Sequence, residues 1–198
     1  MRLNRKRINT FRQGRINARL EARRQLILRN NLEKRLFRNL NTLFRKFVNV
    51  HMHLYKQYGI YEPTTAVQSL NEDFYPLMLT QYKKIFQAVY KENEGKYEVM
   101  RKAEEAFVFG RSVDFEAVVN QYFTGRQLIL AGITERMATR IGNLIEQGRA
   151  DNLTLPQIAK LVSDKFLPIS RSRAALIART ETHNAASFAN HAYHSTVE

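Results

Sequence analysis

Three histidines and a glutamate near the C-terminus are the residues whose types and spacing could bind a metal. His183, His191 and His194 follow Glu181, and imidazole and carboxylate groups brought together on helices are ligands for zinc and related metals. On a helix, however, only His191 and His194, three residues apart, come close to each other. Histidines on the helix surface explain this pattern more simply, so we expect no metal site.

No catalytic arrangement accompanies these residues. The chain lacks cysteine, and it has no glycine-rich phosphate loop, no nucleophile with a neighbouring base and no paired-carboxylate motif. We therefore expect no catalytic residue, no cofactor and no enzymatic activity. The absence of cysteine also excludes disulfides and is typical of a reducing environment. Because no long apolar run is present, we expect neither secretion nor membrane spanning.

Positive charge is concentrated at the N-terminus. Residues 1–50 carry fifteen Lys and Arg against two acids, Glu21 and Glu33, which is a formal +13 out of +14 for the whole chain. A nearly neutral body with one basic arm indicates a polyanionic partner. We predict sequence-independent contact with DNA, the alternative being an acidic protein surface. The predicted contact residues are Arg2, Arg5, Lys6, Arg7, Arg12, Arg15, Arg19, Arg23 and Arg24.

The spacing of apolar residues predicts an all-α fold, an elongated multi-helix assembly in two parts. Residues 1–58 form a basic N-terminal arm and a long amphipathic helix, whose aromatic second half docks. Residues 59–198 form a compact helical body. Within it we expect a kink or a restart at Pro76, a helix end at Gly95, a helix over residues 96–109 and a short helix capped by Asp114.

The remaining helices of the body follow from caps and small residues. Thr124 is expected to cap a longer helix, in which Gly132 and Gly142 mark close packing of another helix. A capping box, Thr154 to Gln157, opens a helix that ends near residue 166. Ser170 caps a last helix over residues 171–194. A stripe of small residues on this helix allows another backbone to approach: Ala174, Ala178, Thr182, Ala185, Ala189 and Ala192.

The most specific local motif is Arg173-Ala-Ala-Leu-Ile-Ala-Arg-Thr-Glu181. It resembles the R-A-x-x-I-A-R-T-E signature of the phage head-morphogenesis (Mu F-like) family of minor head proteins. The segment over residues 145–161 is similar to that family's approach to its signature, so the resemblance covers about residues 125–195. The signature positions are Arg173, Ala174, Ile177, Ala178, Arg179, Thr180 and Glu181.

The resemblance implies a non-catalytic minor structural protein of the phage head. Its location would be the head interior or portal vertex of a virion assembled in the host cytoplasm, in several copies. Its partners would be portal or capsid proteins, together with DNA. Arg179 and Glu181 are two residues apart on a helix and cannot pair with each other. Each therefore needs a partner, either inside the helical domain or on a neighbouring subunit.

The main alternative is a helix-turn-helix DNA-binding regulator. Residues 154–162 followed by residues 169–174 are similar to a positioning helix and a recognition helix. The intervening turn is long and lacks glycine, and the second helix is alanine-rich beyond Arg173, which leaves few side chains to read bases. A third hypothesis, a transferase-like enzyme or toxin, rests on fusions in the resembled family. No residue in this chain supports it.

Overall fold

The chain folds into four long helices. The computed structural model describes the backbone of residues 5–103 and 114–195 and the side chains of residues 17–94 and 114–195. The helices are α1 (Arg5–Tyr58), α2 (Pro63–Ala103), α3 (Phe115–Ala150) and α4 (Leu155–His194). The described parts of the chain contain no strand. The predicted all-α class is confirmed.

The helices form an up-and-down bundle with one continuous core. Each helix runs antiparallel to the next, and α1 packs most extensively against α4. Helix α2 contacts all three other helices, whereas α1 and α3 lie diagonally opposite and meet through side chains, where the Arg149 guanidinium lies over the Tyr55 ring at 5.9 Å from its centroid. The largest buried side chains come from all four helices and include Phe44, Phe74, Tyr82, Leu130 and Phe166.

The aromatic half of α1 docks, as predicted. Leu36, Leu40, Phe44 and Phe47 lie in the core, whereas residues 17–24 are all exposed. The helix ends at a left-handed residue, Gly59, with φ +67°, whose N–H donates to the Tyr55 carbonyl at 2.8 Å. Glycine adopts this conformation without a Cβ penalty, so it terminates the helix.

Helix α2 is longer than predicted. It continues through Pro76 and past Gly95 to Ala103, so a restart at Pro76, a helix end at Gly95 and a separate helix starting at residue 96 are wrong. Residues 104–109 of that expected helix lie outside the described residues. Pro76 is exposed, so the carbonyl it leaves unbonded one turn earlier is open to water. Burial of Phe74 and Met78 on either side holds the helix across the proline.

Helix α3 is one helix where the sequence predicted two. Asp114 is its N-cap, as predicted, and its carboxylate accepts a hydrogen bond from the Ala117 N–H at 3.0 Å. The predicted second start at Thr124 is wrong, because the helix runs through it. The buried positions Val119, Tyr122 and Leu130 keep the same helical phase across Thr124. A single core-facing stripe therefore favours one helix.

Helix α4 begins at the predicted capping box and then departs from prediction. Thr154 and Gln157 form both reciprocal interactions of the box. The helix then runs without a turn through Pro168 and Ser170 to His194, so the expected end near residue 166 is wrong. Phe166, Ser170 and Ala174 are buried at four-residue spacing, which keeps the core stripe in phase. The segment therefore lacks the bend of a helix-turn-helix motif.

The close approach of α3 and α4 depends on Gly148. A Cβ at this position would lie 2.8 Å from Cγ1 of the buried Ile158, closer than two carbons can pack. The two glycines that the sequence analysis assigned to helix packing behave differently. Gly142 faces Tyr61 and Pro63 of the α1–α2 connection, whereas a Cβ at Gly132 would meet only the guanidinium of Arg136. The packing prediction is therefore wrong for Gly132 within this chain.

Candidate nucleic-acid interface and signature cluster

The predicted nucleic-acid contacts lie at the start of α1. Arg2 is outside the described residues, and for five others only the backbone, as part of α1, is described: Arg5, Lys6, Arg7, Arg12 and Arg15. Arg19, Arg23 and Arg24 are exposed. None of these three arginines makes an ion pair with a described residue. Arg19 and Arg23 are four residues apart and share one helix face.

The basic part of α1 extends past the end of its main packing partner. The two helices are antiparallel, with Glu33 of α1 opposite Arg179 of α4 and Gln25 close to Asn190. Because α4 ends at His194, the turns of α1 that precede about residue 21 run beyond it. Of the predicted contacts with described side chains, Arg19 lies in these turns and is exposed.

Two ion pairs join the bundle half of α1 to other helices, and both are weak. Lys46 contacts Asp73 at 2.9 Å between two exposed side chains, and Arg179 approaches Glu33 at 3.5 Å. Solvent-exposed pairs of this kind contribute little to stability. The basic surface continues along α1 through four cations that were not among the predicted contacts: Arg29, Lys34, Arg35 and Arg38. Their spacing around the leucine stripe of α1 is the feature of the sequence that predicts this surface position.

The family-signature residues have divided roles. Ala174, Ile177 and Ala178 are buried, Arg179 and Thr180 are exposed, and Arg173 is half-buried. Glu181 is buried, with only 3% of its side chain exposed. As their spacing predicts, Arg179 and Glu181 have different partners. Glu181 forms an ion pair with Arg126 inside the bundle. The contact that Arg179 makes among the described residues is a long one, to Glu33.

Glu181 is the centre of a buried polar cluster that joins three helices. Its carboxylate accepts hydrogen bonds from two guanidinium nitrogens of Arg126 on α3, Nε at 3.2 Å and Nη2. It also accepts from the Tyr82 hydroxyl of α2 at 2.5 Å. Tyr122 packs edge-on against Tyr82 with ring centroids 4.9 Å apart. A bidentate arginine and a phenol satisfy most of the carboxylate's acceptor positions.

The cluster shifts the ionisation of its members. Burial, followed by the nearby Glu181 charge, raises the pKa of Tyr82 and Tyr122 above the ordinary value. Hydrogen bonding to the Glu181 carboxylate raises the pKa of Arg126, against the smaller opposing effect of its burial. The hydroxyls therefore stay protonated and the guanidinium stays charged, which is the state that compensates a buried carboxylate. This arrangement is suited to holding helices together.

Sequence reasoning missed the partners of Glu181. Arg126 lies on α3 and Tyr82 on α2, 55 and 99 residues away along the chain. Neither spacing nor periodicity predicts such distant pairs. Tyr82 lies in a helical stripe of apolar residues, where a tyrosine is ordinarily predicted to be part of the core. A single arginine at the edge of an apolar stripe, Arg126, was the weak signal available, since buried arginine requires an anionic partner.

The histidines of α4 form no metal-binding group with other described residues. His183, His191 and His194 are all exposed, and within the described part of the chain no three metal-ligating side chains come together. No helix in that same part is both long enough and apolar enough to cross a bilayer.

Comparisons with protein-family models, curated proteins and solved structures return no match to this chain.

Proposed function

We propose that this chain is a minor head protein of a tailed phage, which docks at the portal or inner capsid and contacts packaged DNA through α1. The observation that carries the proposal is the charge distribution on α1. Arg19, Arg23 and Arg24 are exposed and lack ion pairs with described residues, in an N-terminal segment with a formal charge of +13. The signature resemblance at residues 173–181 supports the virion role.

The proposed DNA contact is electrostatic and independent of sequence. Guanidinium groups bind phosphate oxygens and release condensed counterions, a mode that needs no base contact. Arg19 and Arg23 are separated by about 6 Å along the helix axis, so both can reach phosphates of one strand segment. The helix-turn-helix alternative is not retained, because α4 has no turn.

The proposed docking role is structural rather than catalytic. Leu128 on α3 is 88% exposed and Leu176 on α4 is 55% exposed. Exposed apolar side chains on a stable bundle are suited to contact with neighbouring subunits. The proposed partners are portal or capsid proteins, in several copies per particle.

The DNA contact can be tested with two matched variants of the full chain. One replaces Arg19, Arg23 and Arg24 with glutamine. The control replaces three exposed cations of α4, Lys160, Lys165 and Arg171, and so has the same net charge. We expect the arm variant to lose about tenfold or more in affinity for duplexes of unrelated sequence, and the control to lose much less. Equal losses, or preference for one duplex sequence, would contradict the proposal.

The virion role is tested on purified particles. We expect the protein in mature particles or in portal-containing assembly intermediates, at a fixed ratio to the portal subunit, as determined by quantitative mass spectrometry. Finding it only as free protein in infected cells would exclude a structural place in the head. This outcome is independent of the DNA titration.

A further inference from the structure

A cleft between α3 and α4 combines an apolar floor with a cationic rim. It encloses about 480 Å³. Met137, Phe166 and Ile169 contribute apolar surface to its lining, and Phe166 is fully buried in the core beneath it. Three arginines, Arg136, Arg140 and Arg173, also line the cleft, against a single acid, Glu135. The cleft therefore has an excess of positive charge.

The arginines of this cleft have few partners within the chain. Arg140 and Arg173 make no ion pair or hydrogen bond with a described residue, although Arg173 is half-buried. Arg136 donates from Nε to the Gly132 carbonyl at 2.7 Å, which positions its guanidinium along the cleft without neutralising it. A partly buried arginine keeps its charged guanidinium at the surface, and those of Arg140 and Arg173 have no counter-charge among the described residues. These side chains are therefore available to carboxylates from outside.

The apolar surface continues beyond the cleft along the same two helices. Ile129 precedes Arg136 by seven residues and is 46% exposed, while Leu176 follows Arg173 by three and is 55% exposed. Between Ile129 and Arg136, Gly132 leaves α3 without a side chain, and among the described residues a Cβ there would meet only Arg136. A glycine inside a helix costs about 1 kcal/mol relative to alanine. No packing among the described residues explains this glycine.

We propose that the α3–α4 groove, defined by Ile129, Gly132, Arg136, Arg140, Arg173 and Leu176, binds an acidic amphipathic helix of another protein. The inference rests on the docking half of the proposed function and names the chemistry of the partner. Apolar side chains of that helix cover Ile129 and Leu176, and its backbone approaches α3 at Gly132. Its carboxylates pair with Arg140 and Arg173, as in other helix-in-groove complexes.

Charge distinguishes this partner from two other occupants. A second copy of the chain has a formal charge of +14, so its approach to a cationic groove is repulsive. A nucleic acid would satisfy the arginines but not the apolar residues, Ile129 and Leu176, at one end of the groove. An acidic helix with an apolar stripe satisfies both.

The test uses the full chain and a synthetic amphipathic helix with a leucine stripe flanked by glutamates. A matched helix has glutamine in place of each glutamate. Binding is measured by fluorescence anisotropy near physiological salt. We expect the glutamate helix to bind more tightly, and Arg140→Gln/Arg173→Gln to remove about tenfold of that affinity. The charge-matched control, Arg19→Gln/Arg23→Gln on α1, should change it by only about twofold or less.

A second variant tests the shape of the groove. Gly132→Leu fills the open position without meeting the core, so the bundle should stay folded and binding of the glutamate helix should fall. Absence of binding, no preference for glutamate over glutamine, or a larger loss in the α1 control than in the groove variant would overturn the proposal. A groove variant that loses affinity for duplex DNA as strongly as the α1 variant would also overturn it, since the occupant would then be a nucleic acid. None of these readouts requires particles, so failure here leaves the virion test intact.

Discussion

At the scale of single residues, Glu181 shows how this bundle accommodates charge in its interior. Removing a carboxylate from water is costly, and the cost is offset only when hydrogen bonds and an opposite charge replace the lost solvation. Arg126 and Tyr82 provide that replacement from α3 and α2. The pairing links three helices at one point and restricts how they slide along one another.

Removing the cation should expose the cost of burying Glu181. We expect Arg126→Met to lower the free energy of unfolding by about 2–4 kcal/mol, somewhat less than for a fully buried pair because the Arg126 side chain is partly exposed. Arg126→Met/Glu181→Leu should recover part of the loss, because no charge then stays buried alone. Urea unfolding of the single and double variants measures both effects. A single variant as stable as the wild type would mean that Glu181 needs no cation.

The tyrosine hydroxyls make stability depend on alkaline pH. Burial raises the pKa of Tyr82, Tyr122 and Tyr61 in the folded chain, whereas in the unfolded chain they ionise near pH 10. Their contribution is complete below about pH 10 and falls above it, by about 1.4 kcal/mol per pH unit for each tyrosine. Unfolding followed at several alkaline pH values should show a shallower fall for Tyr82→Phe than for the wild type. If the stability of both proteins fell equally with pH, the Tyr82 hydroxyl would be in contact with water and the prediction would be wrong.

Residue types alone predicted only part of the candidate sites. The exposure of Arg19, Arg23 and Arg24 follows from a run of cations around a thin leucine stripe, because so many like charges cannot be buried. Residue types did not predict that Arg179 is exposed and Glu181 is buried. Both lie in one helix signature, and the distinction depends on residues of α2 and α3 far away in sequence.

At the scale of elements, helix-breaking residues did not end a helix where the buried residues before and after them lie on the same helix face. Pro76 predicted a kink or a restart and Pro168 a helix end, yet both helices continue because the buried stripes before and after each proline lie on one face. Packing of an amphipathic face supplies most of a helix's stability in a folded protein. The caps at Asp114 and Thr154 were predictable because they coincide with the true start of a core stripe.

The continuity of α4 predicts the effect of replacing its proline. Pro168 is exposed and inside the helix, so Pro168→Ala restores a hydrogen bond and removes a clash. We expect it to raise the free energy of unfolding by about 1–3 kcal/mol. Pro76→Ala in α2 is a parallel case with the same expected sign. A neutral or destabilising Pro168→Ala would instead indicate a turn at this point.

Two glycines of α3 provide a matched pair. Gly132→Ala adds a methyl group in open space and should stabilise the protein by about 0.5–1 kcal/mol through helix propensity. Gly148→Ala gains the same propensity but directs its Cβ at the buried Ile158, so we expect a net loss of about 1–3 kcal/mol. Thermal unfolding compares them directly. Shortening the neighbour with Ile158→Val should reduce the loss at Gly148, and equal effects at the two glycines would contradict the close approach of α3 and α4.

At the scale of the whole molecule, the sequence predicted the helical class and the charge asymmetry but not the bundle topology. Both of these features depend on many residues together, so a wrong prediction at one helix boundary does not change them. The pairing of α1 with α4 depends on which apolar stripes fit one another, and amphipathic periodicity leaves several arrangements open. The result is a bundle in which the positive charge is concentrated on α1, whose first turns extend past the end of α4.

The most direct test of the account is the salt dependence of duplex DNA binding by the full chain. The logarithm of the association constant should fall linearly with the logarithm of salt concentration, with a slope of about −0.9 per phosphate contacted. Replacing Arg19, Arg23 and Arg24 with glutamine should make that slope shallower by about 2–3, whereas the α4 control should leave it unchanged. Superimposable salt dependences for the wild type and the arm variant would contradict the claim that α1 contacts DNA.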